Sequence, residues 1–138
     1  MFVDASVVVA IIAEEEGYET FQARLEKYRG PVYISALTRF EAIQAIARKS
    51  SGRFKPNSSQ LSDAGKIVDR LVSGLNAQHV DISEEIGILA VRASATYGKA
   101  VGHPADLNMG DCFGYACAKA LNVPLLYKGD DFAKTDLA

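Results

Sequence analysis

The chain has 138 residues, enough to bury the core of one domain and too few for two ordinary ones. Apolar residues make up 49% and charged residues 23%, which excludes a disordered tail or a fibre. Fifteen Lys and Arg against seventeen Asp and Glu leave a net charge of −2, so any contact with nucleic acid must be built locally rather than by a basic surface.

Met1–Val3 reads as a short buried strand, and Ala5 to Glu15 as a helix that Gly17 breaks. Tyr18, Phe21, Leu25 and Tyr28 recur at three and four, the spacing of an amphipathic helix. Gly30-Pro31 turns the chain into a strand at Val32–Ile34. Ser35 then caps a helix that runs to about Lys49, with Ile43, Ile46 and Ala47 inward. The stretch Ser50–Ser59, rich in Ser, Gly and Pro, reads as a connection within the domain. Leu61–Leu75 is helical, His79–Ile82 a strand, and Ser83 to Tyr97 a helix. Tyr97–Asn108 is a Gly/Pro loop, Met109–Leu121 a helix, and Leu125–Tyr127 a buried strand that opens into Gly129–Phe132. Strands alternating with helices predict an α/β domain, residues 1–138, around a mostly parallel sheet.

Val7–Ala13 is too short, and too closely flanked by acids, for a signal peptide or a membrane span, so a cytoplasmic protein is expected. Cys112 and Cys117 are five apart, about 140° around one helix, and read as reduced core thiols. His79 and His103 are isolated, the first structural and the second a loop residue.

In parallel sheets, ligands sit beyond the carboxyl ends of the strands. Asp4 follows the first strand, Glu41 opens the helix after the second, Asp111 opens the Met109–Leu121 helix, and Asp130-Asp131 follow the last strand. Each acid alone is explained by a helix cap or the helix dipole. Several that converge repel one another unless a cation lies between them or their pKa values rise. Oxygen ligands select a hard cation, Mg²⁺ or Mn²⁺.

Four motifs carry a family resemblance over essentially the whole chain. They are Met1-Phe2-Val3-Asp4-Ala5-Ser6, Leu37-Thr38-Arg39-Phe40-Glu41, Asn108-Met109-Gly110-Asp111-Cys112-Phe113-Gly114-Tyr115-Ala116 and Leu125-Leu126-Tyr127-Lys128-Gly129-Asp130-Asp131-Phe132. In this order the chain resembles PIN-domain ribonucleases, specifically the VapC toxins of bacterial toxin–antitoxin modules. The resemblance implies a PIN-like α/β/α sandwich and metal-dependent hydrolysis of RNA, often tRNA. The family's acids carry over to Asp4, Glu41 and Asp111, with Asp131 favoured as the fourth and Asp130 as its alternative. Many members have Thr or Ser near the start of the last motif, where this chain has Tyr127.

The resemblance further implies that Asp4, Asp111 and Asp131 hold Mg²⁺ or Mn²⁺. Glu41 then orients or deprotonates the attacking water, or helps to recruit a second ion. Ser6 suits a metal-bound water or the neighbouring carboxylate, and Arg39 an RNA contact. Arg48, Lys49, Arg53, Lys55, Lys99 and Lys128 are further cations for RNA. The implied partners are a VapB antitoxin, whose C-terminal segment lies in the acidic groove, and a second toxin copy. Operator DNA is reached only through the antitoxin. The competing readings are a DNA-directed nuclease of the same superfamily and a catalytically idle PIN-fold binding module. A receiver-like signalling domain is a weaker rival, because Val32-Tyr33-Ile34-Ser35 ends without an Asp.

Overall fold

Four short strands and six α-helices make up a computed structural model that describes residues 1–138. In chain order they are β1 (Phe2–Val3), α1 (Ala5–Ile12), α2 (Tyr18–Lys27), β2 (Tyr33–Ser35), α3 (Ala36–Ser51), α4 (Ser58–Gly74), β3 (Gln78–Val80), α5 (Glu84–Tyr97), α6 (Met109–Leu121) and β4 (Leu125–Leu126). The sheet order is β3-β2-β1-β4, and every pairing is parallel. The expected α/β architecture is present, with a sheet parallel throughout.

The strands alternate between two cores, as a sheet covered on both faces requires. Val3, Ile34 and Leu126 join one apolar cluster, whereas Phe2 and Leu125 join the other. The first cluster takes Val7 and Val8 of α1, Leu25 of α2, Ile46 of α3 and Val68 of α4. The second takes Ile86 and Ala90 of α5 with Ala116 and Cys117 of α6. Three layers result, with α1–α4 on one face and α5–α6 on the other. Cys112 and Cys117 are both buried free thiols, and burial pushes the Cys117 thiol up to about 11.

Local chemistry sets the boundaries. Ser35 caps α3 by accepting from the Thr38 amide, and Ser83 caps α5 through the Ile86 amide. Asn57 and Gln60 form a reciprocal capping box that starts α4 at Ser58, inside the stretch expected to be loop. α1 ends at Ile12 rather than Glu15, because Glu14 and then Gly17 adopt positive φ (48° and 81°) and turn the chain. β3 lies at Gln78–Val80 rather than His79–Ile82, and His79 is exposed on it. Lys99–Val101 forms a single 3₁₀ turn within the expected loop. His103 Nδ1 accepts from the Ala105 amide there, so the histidine shapes the loop. No helix is long and apolar enough to cross a membrane.

Candidate active site

Asp4 leaves the carboxyl end of β1. Its amide continues the sheet by donating to the Leu126 carbonyl at 2.9 Å. Its side chain caps α1, with Oδ2 accepting from the Ser6 amide at 2.8 Å and the Ser6 hydroxyl at 2.5 Å. Only 7% of Asp4 is exposed. Burial raises its pKa above the ordinary aspartate value; the Ser6 hydrogen bonds oppose the rise and the Asp131 charge adds to it. The Ser6 hydroxyl also accepts from the Lys128 amide at 3.0 Å, which ties the chain after β4 to the Asp4 carboxylate.

Glu41 lies in the second turn of α3, half-buried, and meets the first turn of α6. Its carboxylate packs against the backbone at Gly110, where a Cβ would collide with it, so glycine lets Glu41 hold this position at the crossing. Burial first, then the charges of Asp4 and Asp111, raise its pKa from 4.5 to about 7. Asp111 is in the first turn of α6. It forms a capping box with Asn108: its amide donates to Asn108 Oδ1 at 3.1 Å, and its Oδ2 accepts from the Asn108 amide at 2.8 Å. Burial raises its pKa to about 6 despite the Asn108 hydrogen bond, with the charges of Asp4, Asp131 and Asp106 adding to the rise.

An open cleft of about 810 Å³ unites these groups. Asp4, Ser6, Glu41, Asp111 and Asp131 all line it, as do Arg48, Lys128 and Asn108. Asp131, not Asp130, reaches the cleft wall; Asp130 is exposed beside it. Arg39 is placed elsewhere. Its guanidinium forks onto Asp69 of α4 at 2.6 and 2.7 Å, and it is absent from the cleft wall. The reason is geometric: two residues on one helix are about 200° apart, so Arg39 and Glu41 face opposite ways. Glu15 also lines the cleft. It stands in a run of three glutamates after an apolar helix, which reads as solvated turn, and no local pattern marks it out.

The sequence matches the PIN domain family over residues 1–137. A VapC ribonuclease of Rhizobium meliloti (strain 1021) is 44% identical over 140 residues, covering 99% of this chain and 98% of that protein. The chain belongs to the VapC group of the PIN-domain family. Ribonuclease VapC42 of Mycobacterium tuberculosis (strain ATCC 25618 / H37Rv) is 35% identical over 137 residues, covering 99% of this chain and 96% of that one. A solved toxin–antitoxin complex from Klebsiella pneumoniae has the same fold, with a TM-score of 0.66 at 17% identity over 99% of this chain and 92% of that chain.

The cleft offers carboxylate oxygen and no cysteine or histidine, the donor chemistry of a hard cation. The pKa values of Asp4, Glu41 and Asp111 are raised first by burial and then by the neighbouring carboxylates, and a divalent ion would favour their charged forms. By chemistry, then, the residues fit Mg²⁺ or Mn²⁺. No three His, Cys, Asp or Glu side chains are grouped closely enough to hold an ion as they stand. Asp4 is held by Ser6 as the cap of α1, and Asp111 by Asn108 in the capping box of α6.

Proposed function

We propose that the protein is an endoribonuclease toxin that hydrolyses RNA phosphodiester bonds at this cleft with Mg²⁺ or Mn²⁺, and that a VapB-type antitoxin restrains it. The observation that carries the reading is the convergence of Asp4, Glu41, Asp111 and Asp131 on one open cleft at the carboxyl edge of the sheet. Membership of the VapC group and the fold shared with a toxin–antitoxin complex support it.

Asp4 and Asp111, with Asp131, would hold the ion. When bound, such an ion polarises the phosphoryl group and lowers the pKa of water. Ser6 holds Asp4 through two hydrogen bonds to Oδ2 and so fixes its rotamer at the cleft wall. Glu41, on the cleft wall beside these acids, orients the attacking water or takes its proton. Asn108 keeps Asp111 from turning outward until the ion competes for it. Arg48 and Lys128 on the cleft wall offset the acids where the RNA backbone enters. The substrate is a structured cellular RNA, tRNA foremost. The toxin forms a homodimer, assembles with its antitoxin in the cytoplasm, and meets operator DNA only through that partner.

Purified protein incubated with tRNA, other structured RNA and single-stranded DNA tests the reading. Cleavage of RNA that needs Mg²⁺ or Mn²⁺ and stops with EDTA is expected. Preference for DNA would make the protein a DNA nuclease of the same superfamily. Binding without cleavage of any substrate would make it an idle binding module.

A further inference from the structure

Glu15 sits in the turn between α1 and α2 and bridges two ammonium groups. Lys49 Nζ, near the end of α3, is 2.6 Å from Oε1, and Lys128 Nζ, after β4, is 2.5 Å from Oε2. Arg48 lies on the same stretch of the cleft wall, with no ion pair of its own in the structure. Two cations therefore hold one carboxylate beside the acidic cleft, and Arg48 lines the same cleft. The link to the reacting centre is short. The Lys128 amide donates to the Ser6 hydroxyl, which donates to Asp4.

We propose that Lys49, Lys128 and Arg48 form a subsite for an RNA backbone phosphate next to the scissile one, and that Glu15 occupies this subsite until RNA displaces it. The inference rests on the ribonuclease reading above and concerns how the same cleft takes its substrate. A carboxylate held by one cation on each oxygen mimics a phosphate held by two of its oxygens. Both lysines keep a third to a half of their side chains exposed (34% for Lys128, 50% for Lys49), so a polyanion reaches them without unfolding anything. Surface ion pairs of this kind are weak and salt-sensitive, which makes the exchange easy. Without Glu15 the two lysines would stand unpaired and open to any small anion; with it, they open to a ligand that binds both the subsite and the acid cleft. Glu15 thus positions and selects, and does not touch the reacting atoms.

The test uses the full chain, a tRNA substrate, and steady-state kinetics at several salt concentrations. For Glu15→Gln, KM should fall about three- to tenfold at low salt, with the effect on KM rather than kcat. The dependence of KM on salt should steepen, because more cations are free to meet phosphate. Lys128→Met should raise KM, Lys128→Arg should restore it, and Glu15→Gln should gain nothing in the Lys128→Met background. Lys49→Met, at an exposed helix end, repeats the test should Lys128→Met fold poorly. If Glu15→Gln leaves KM and its salt dependence as in the wild type and only lowers Tm, Glu15 is a structural clamp and the proposal falls. If it alters antitoxin affinity while KM stays put, the cations serve the antitoxin and the proposal also falls. If the wild type itself cleaves no RNA, the ribonuclease reading fails first.

Discussion

Replacing Glu41 by Gln removes one of the repelling acids while preserving its shape. The ionised carboxylate is held where its pKa rises from 4.5 to about 7, chiefly by burial and then by Asp4 and Asp111. At about 1.36 kcal/mol per pH unit that is roughly 3 kcal/mol against the charged form, and solvent screening at this half-exposed position reduces it to about 1–2 kcal/mol. The direction follows from linkage. An acid whose folded pKa lies above its unfolded one costs nothing below about pH 4.5; the cost grows as pH rises and is complete above about 7. Glu41→Gln should therefore be more stable than the wild type at pH 8 in EDTA, by about 3–8 °C in Tm for a chain of this length. The difference should shrink towards zero near pH 4.5. Thermal unfolding followed by circular dichroism across pH 4.5 to 8 reads this directly. A gain that is absent, or that does not change with pH, would refute the placement of Glu41 among uncompensated acids. The same variant should lose RNA cleavage, so stability and activity move in opposite directions at this residue.

Two further outcomes follow from the cleft. Ser6→Ala removes the hydroxyl that joins Lys128 to Asp4; it should cost about 1–3 kcal/mol in denaturant unfolding and lower the cleavage rate. An unchanged unfolding midpoint would mean that the bridge is idle. Gly110→Ala places a methyl group against the Glu41 carboxylate, a flexible side-chain end that swings aside, while alanine favours the helix by about 1 kcal/mol. Stability should stay near that of the wild type and cleavage should fall about tenfold or more, because Glu41 is displaced. Wild-type activity would show that the position of Glu41 against α6 is unimportant.

The acids that could be read from sequence were those set by local structure. Asp4 and Asp111 lie where a helix begins and Glu41 in the second turn of α3, and parallel α/β topology gathers the two helix starts and the α3–α6 crossing at a single edge. Choosing between Asp130 and Asp131 needed the path of the last loop, in which one residue of register decides which side chain reaches the cleft. Arg39 was misleading because nearness in sequence is not nearness on a helix; its partner Asp69 is thirty residues away on α4. Glu15 was invisible for the opposite reason, since its partners lie 34 and 113 residues further on and meet it only through the fold. The limits of β3 were misjudged because strands of two or three residues carry little alternation to read. The net charge of −2 turned out to say little about nucleic acid. Five of the seventeen acids line one cleft, and what matters there is the cation that Asp4, Glu41, Asp111 and Asp131 invite and the lysines that Glu15 holds.

The central claim is tested most directly by the rate of RNA cleavage as a function of Mg²⁺ concentration, for the wild type, Asp4→Asn and Asp111→Asn, with each variant confirmed as folded by its Tm. The wild type should show a saturable, EDTA-sensitive rate, and each variant should lose at least about a hundredfold at every Mg²⁺ concentration while remaining folded. Cleavage by either folded variant at the wild-type rate, or wild-type cleavage indifferent to Mg²⁺ and EDTA, would contradict the assignment of these carboxylates to a metal-dependent ribonuclease centre.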